Sequence, residues 1–121
     1  MSLTFDELKE ANLTRCNVSF NHDIYSWSVA EWTNALAGEA GEAANFGKKI
    51  IRKGTAFEEL NDDELTESLG RELADVVIYA DLVAQRIGKD LGQLVAETFN
   101  KKSEELGAPE KLNGNSCKEK E

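Results

Sequence analysis

The chain has 121 residues, 40% of them hydrophobic and 31% charged, with a formal net charge of −9. That length holds one domain with a modest core, and the acidity argues against a general nucleic-acid binder, because no overall basic surface exists to neutralise phosphates. A small anionic ligand stays compatible with it, since a metal ion and a local basic cluster reverse the field inside a pocket. A single proline and runs rich in Ala, Leu, Glu and Lys favour helices. The opening MSLTFDELKE lacks the basic and apolar regions of a signal peptide, and no apolar run reaches membrane-spanning length. Cys16 and Cys117 belong to no CxxC or Cys/His cluster and read as free thiols of a reducing compartment. The expectation is a cytoplasmic protein that engages neither membrane nor nucleic-acid polymer.

In chain order, a first helix is expected over 4–18. Leu3 or Phe5, Leu8, Ala11 or Asn12, and Arg15 or Cys16 give it a weak amphipathic period, and Thr4 with Glu7 fits a capping box. Its default role is docking. The loop that follows, SFNHDIYSWS, places His22, Tyr25 and Trp27 where aromatic rings can stack on a nucleobase. The plainer reading has these rings covering one end of a bundle. His22 is the only histidine, so no His-based metal site can be built.

A second helix is expected over 28–53, capped by Ser28 and Glu31 and ended by Gly54. Trp32, Leu36, Ala43, Phe46 and Ile50 share one side of it; Glu39 lies inside that arc and Glu42 at its edge. Lys48, Lys49, Arg52 and Lys53 crowd its end, either to complement the helix dipole or to reach phosphate oxygens. The connection TAFEELNDDE is neither a Gly-rich phosphate loop nor an EF-hand. A third helix is expected over 63–87, with Leu69, Leu73, Val76, Ala80, Val83 and Ile87 as its stripe. Glu72 falls within that stripe, and Asp75 and Tyr79 lie beside it. A fourth is expected over 90–106, capped by Asp90 and stopped by Gly107 and Pro109. Leu91, Leu94, Val95, Thr98 and Phe99 form its apolar side, with Leu106 as last contact. The fold class is therefore all-α, a four-helix bundle-like domain over 1–108, with a polar tail over 109–121 expected to be disordered.

Residues three apart on a helix share a face, so Glu39 with Glu42, and Glu72 with Asp75, each present two carboxylates side by side. A carboxylate facing a core is costly unless it is paired or binds a metal. Neither stripe holds a Lys or Arg. Four inward acids on two facing helices thus ask for a cation, and oxygen-only ligands select a hard one, Mg²⁺ or Mn²⁺. Solvated acid pairs are common on helices; two pairs at two core edges are less so. A di-iron carboxylate bundle wants E-x-x-H motifs, which neither pair supplies.

The pattern ALAGEAGEAANFGKKI, followed by ELADVVIYADLVAQRIGKDLGQLVAETFNKKSEELG, resembles the MazG-like nucleotide pyrophosphohydrolases. These belong to the all-α NTP pyrophosphatase superfamily, alongside dimeric dUTPases and dCTP pyrophosphatases. The resemblance spans residues 27–107. It implies that Glu39, Glu42, Glu72 and Asp75 are Mg²⁺ ligands, that Tyr79 lies by the nucleotide, and that Asn100 and Lys101 face the substrate. Two departures stand out: Gly38 occupies a place where many members carry a further Glu, and the gap from Glu42 to Glu72 is on the long side.

The activity so implied is hydrolysis of a nucleoside triphosphate, expected to be a dNTP, to monophosphate and pyrophosphate in nucleotide-pool cleaning. A divalent cation acidifies water, and one of the glutamates, Glu42 ahead of Glu39, accepts its proton. Lys48, Lys49, Arg52 or Lys53 offset charge on the leaving pyrophosphate, while Trp27, Trp32 or Tyr79 hold the base. Family members are typically dimers or tetramers with pockets between subunits, and four amphipathic helices in so short a chain also suggest self-association. The rival reading is a non-enzymatic helical bundle that binds a partner protein.

Overall fold

Residues 2–51 and 63–113 are described by a computed structural model and form an all-α arrangement of four helices with no strand among them. Arg52, Lys53, Gly54, the acidic connection up to residue 62 and Cys117 lie outside the described residues.

Helix α1 (Phe5–Thr14) starts where Thr4 Oγ1 accepts the Glu7 amide at 3.0 Å. It stops short of the expected residue 18. Arg15–Ser19 widen into a π-helical turn, closed by the Phe20 amide donating to Arg15 O at 2.9 Å. The reason lies in where the next carbonyls go. Cys16 O accepts the His22 amide at 2.9 Å, so the chain is drawn back over its own end instead of climbing another turn. Asn21, at φ 51°, makes the reversal in a left-handed conformation that Asn tolerates. A 3₁₀ turn (Ile24–Ser26) follows, capped by Asp23.

Helix α2 (Val29–Ile51) begins with both bonds of a capping box. The Ser28 amide donates to Glu31 Oε1 at 2.8 Å, and the Glu31 amide donates to Ser28 Oγ at 3.1 Å. Helix α3 (Asp63–Arg86) is its main partner and runs antiparallel to it, with Trp32 beside Tyr79 at one level and Glu39 beside Asp75 at the next. Cys16, Ile24, Trp32 and Leu82 form the core at the end of this pair where the π-helical and 3₁₀ turns close over it. Trp32 is 3% exposed and donates its indole N–H to Ile24 O at 2.8 Å, so its one polar atom is satisfied where it is buried. Arg86 ties the loop to α3 by donating Nε–H to Trp27 O at 2.9 Å, with its guanidinium 5.3 Å from the Tyr25 ring.

Helix α4 (Leu91–Leu106) is capped by Asp90 at its start and by Gly107, at φ 71°, at its end. It packs against α3 and α1, with Leu91 and Leu94 of the expected apolar side half-buried but not Val95, Thr98 or Phe99. Ala96 and Ser103 are buried, and Gly92 lies so close to Phe5 that an added Cβ would stand 2.8 Å from Phe5 Cβ. Small residues let the helices approach, which leaves Val95, Phe99 and Leu106 exposed. Leu73 and Ile87 of the expected α3 stripe are exposed as well. The first residues of the polar tail are held rather than free: Asn100 accepts the Leu112 amide at 2.7 Å and donates to Leu112 O at 2.8 Å. No helix among the described residues is long and apolar enough to cross a membrane.

Candidate active site

Midway along the α2–α3 pair, one carboxylate oxygen each from Glu39, Glu72 and Asp75 lie within 4.8 Å of one another. All three side chains are half-buried. No Lys or Arg is bonded to any of them among the described residues, and Glu72 Oε2 is a buried oxygen with no hydrogen-bond partner. Such an orphan is rare in a folded protein and wants a donor or a cation. The electrostatics agree. The Glu72 pKa is raised to about 7, first by its hydrogen bond with Glu42, then by burial and by the charges of Glu42, Glu39 and Asp75. Burial, with Glu42 and Asp75, also pushes Glu39 upward. Glu42 is exposed and sits at the outer edge of the group, against Glu72 but outside the tight set of three.

Asp75 also lines a cavity of about 450 Å³ that opens beside the core. Its aromatic walls come from Phe20, His22, Trp27, Trp32 and Tyr79. Trp27 and Trp32 have ring centroids 4.6 Å apart, His22 stacks on Trp32 at 5.6 Å, and Trp32 is 6.4 Å from Tyr79. Tyr79 is held protonated by burial first and then by Glu39 and Asp75, which push its pKa upward. Asn12 and Arg15 add polar edges. One continuous surface therefore joins an aromatic slot to an acidic cluster, with Asp75 common to both.

No family model, curated protein or solved structure matches this chain.

The other residues read from the sequence fall in several places. Lys48 is exposed and shares a shallow groove with Gly38, Gly41 and Glu42, so it stands at the outer edge of the acids. Lys49 turns instead onto Phe46, its ammonium 4.9 Å from the ring centroid. Tyr25 is exposed under Arg86 and does not line the cavity. Asn100 and Lys101 do not line it either, and the Asn100 amide exchanges two hydrogen bonds with Leu112. Arg52 and Lys53 lie outside the described residues.

Sequence reasoning missed Asn12, Arg15 and Phe20 as cavity residues; the π-helical turn that carries Arg15 and leads into Phe20 has no sequence signature, and Asn12 reaches the cavity from α1. It also missed Asp81. That residue is 1% exposed, and its Oδ2 accepts from Asn12 Nδ2 at 2.9 Å and Gln85 Nε2 at 2.8 Å. The available signal was Asn12 as one of the two candidates, with Ala11, for the inner side of α1, since a buried amide needs a polar partner.

Proposed function

We propose that the protein is a Mg²⁺-dependent nucleoside triphosphate pyrophosphohydrolase, converting a (d)NTP and water to the (d)NMP and pyrophosphate. The observation that carries this reading is the junction at Asp75, where three clustered carboxylates, without a cationic partner among the described residues, adjoin a cavity walled by aromatic rings. A nucleotide has that shape in chemical terms: a flat ring at one end and phosphates that travel with a divalent cation at the other.

The donor set fits the ion. Glu39, Glu72 and Asp75 offer only oxygens, and the unpartnered Glu72 Oε2 is what a hard cation would satisfy. Bound there, Mg²⁺ would supply Lewis-acid activation of the phosphate and of water, with Mn²⁺ as the chemical substitute. The protein's own groups do the rest. Trp27 and Tyr79 hold the base by ring contact, while the buried Trp32 forms the floor. Glu42, exposed beside Glu72, accepts a proton from the attacking water, with Glu39 as the second candidate. Lys48, in the groove beside Glu42, offsets charge on the departing pyrophosphate.

The exposed Leu73 and Val77 on α3, with Val95, Phe99 and Leu106 on α4, support self-association as a dimer or tetramer. The reading places the enzyme in the cytoplasm, acting on the nucleotide pool. It is tested by pyrophosphate release with Mg²⁺ from separate NTPs and dNTPs, comparing wild type with Glu72→Gln and Asp75→Asn. Loss of release in both variants with retained helicity supports it. No release from any substrate, with melting curves indifferent to Mg²⁺ and nucleotide, would leave a helical interaction bundle as the better account.

A further inference from the structure

Asn12 is 4% exposed and lines the aromatic cavity beside Asp75. Its Nδ2 donates to Ile78 O at 2.9 Å and to Asp81 Oδ2 at 2.9 Å. A primary amide carries two N–H donors, so both are spent on α3. Turning the amide over would set its oxygen against two acceptors, and its orientation is therefore locked. Asp81 is locked in turn, because Gln85 Nε2 donates to it at 2.8 Å and also reaches Lys9 O at 3.0 Å. With the N–H edge committed to α3, the edge left to the cavity is Oδ1, which receives no hydrogen bond among the described residues. The cavity thus holds a fixed acceptor among ring faces, with no protein donor to it among the described residues.

We propose that Asn12 Oδ1 reads the edge of the nucleobase, selecting a ring with an exocyclic amino group over one with a carbonyl at that position. This rests on the nucleotide reading of the site and names its substrate class as amino-bearing bases. Stacking on Trp27, Phe20 or Tyr79 is nearly indifferent to base identity, since every base has a π-face. A free amide could serve either ring by rotating. A locked one cannot: an amino group donates to Oδ1, while a carbonyl would oppose acceptor to acceptor.

Both tryptophans of the chain line the cavity, so intrinsic fluorescence reports base binding without turnover. The probes are dCMP against dUMP, AMP against IMP, and the N4,N4-dimethyl form of dCMP, which lacks the amino hydrogens. Pyrophosphate release is measured in parallel from the matching triphosphates. Amino-bearing members should bind about 10- to 100-fold more tightly than their carbonyl counterparts, the dimethyl form should lose that advantage, and the preference should appear in KM. Asn12→Ala should erase the discrimination; if that variant does not fold, the ligand series on the unsubstituted protein decides alone. Equal or reversed preference with pyrophosphate release intact overturns the role of Asn12 and leaves the enzyme reading standing. Amino preference in fluorescence without any release upholds Asn12 and removes the enzyme reading. Absence of quenching by every probe overturns the proposal.

Discussion

Across the α2–α3 interface, the carboxyl of Glu72 meets that of Glu42, and two acceptors can share such a contact only through a proton or a cation. The contact is the leading cause that lifts the Glu72 pKa from 4.5 to about 7. On the proposed reading, proton and metal are alternatives at this carboxylate group.

The sign of the pH dependence follows. Protonated Glu72 contributes stability that is fully present below its unfolded value of 4.5 and is lost as pH rises through about 7. Magnesium competes with that proton, so its stabilising effect should be small at about pH 5.5 and large at about pH 8. Melting temperatures across this range, with and without Mg²⁺, check it. Glu72→Gln should flatten the metal-free curve and remove the Mg²⁺ response. A Mg²⁺ effect that is the same at both pH values would count against the cluster as the binding site.

Trp27 is half-buried and contributes a cavity wall, so its loss should act on substrate affinity more than on chemistry. Stacking is worth about 1–3 kcal/mol per base. Trp27→Ala should raise KM about tenfold or more while kcat changes less. Steady-state kinetics on the preferred substrate measure the split, and a fall in kcat at constant KM would take Trp27 out of the base slot.

The Asp81 carboxyl is the hub that holds α1 onto α3. Asp81→Ala leaves the Asn12 and Gln85 amides facing a void with unpaired N–H groups, and should cost about 3 kcal/mol. Urea unfolding measures this. Asp81→Asn keeps one acceptor oxygen and should cost less.

Two glycines should respond with opposite signs. At Gly92 a new Cβ would lie 2.8 Å from Phe5 Cβ, with α1 behind it. Gly92→Ala should destabilise by about 1–2 kcal/mol, the overpacking outweighing the gain in helix propensity. At Gly70, within α3, nothing lies within 4 Å of the added atom, so Gly70→Ala should stabilise by about 0.5–1 kcal/mol. Thermal unfolding of the two variants side by side gives the comparison.

Much of the fold was legible from local rules. The caps at Thr4, Ser28 with Glu31, Asp90 and Gly107 are all present, because each is a short-range hydrogen bond or backbone preference written within a few residues. The meeting of Glu39, Glu72 and Asp75 was legible for a related reason: a carboxylate inside an apolar stripe must end at a helix contact. The sides of α4 were not. Hydrophobicity pointed to Val95 and Phe99, whereas close approach favoured Gly92, Ala96 and Ser103. Periodicity tells which residues share a face, not which face a neighbour occupies.

By itself, then, the sequence determined four helices, most of their ends and the level at which two acidic pairs lie along α2 and α3, since all of these follow from intervals of three or four residues. The tertiary structure alone decided that Glu42 sits outside the tight carboxylate set, that Asn100 clasps the tail, and that Asn12, Arg15 and Phe20 turn into an aromatic cavity. Those outcomes depend on a π-helical turn and on how closely helices pack. Helix packing is set by contacts between residues far apart in the chain, and the turn by bonds five to six residues apart that no helical or strand periodicity encodes.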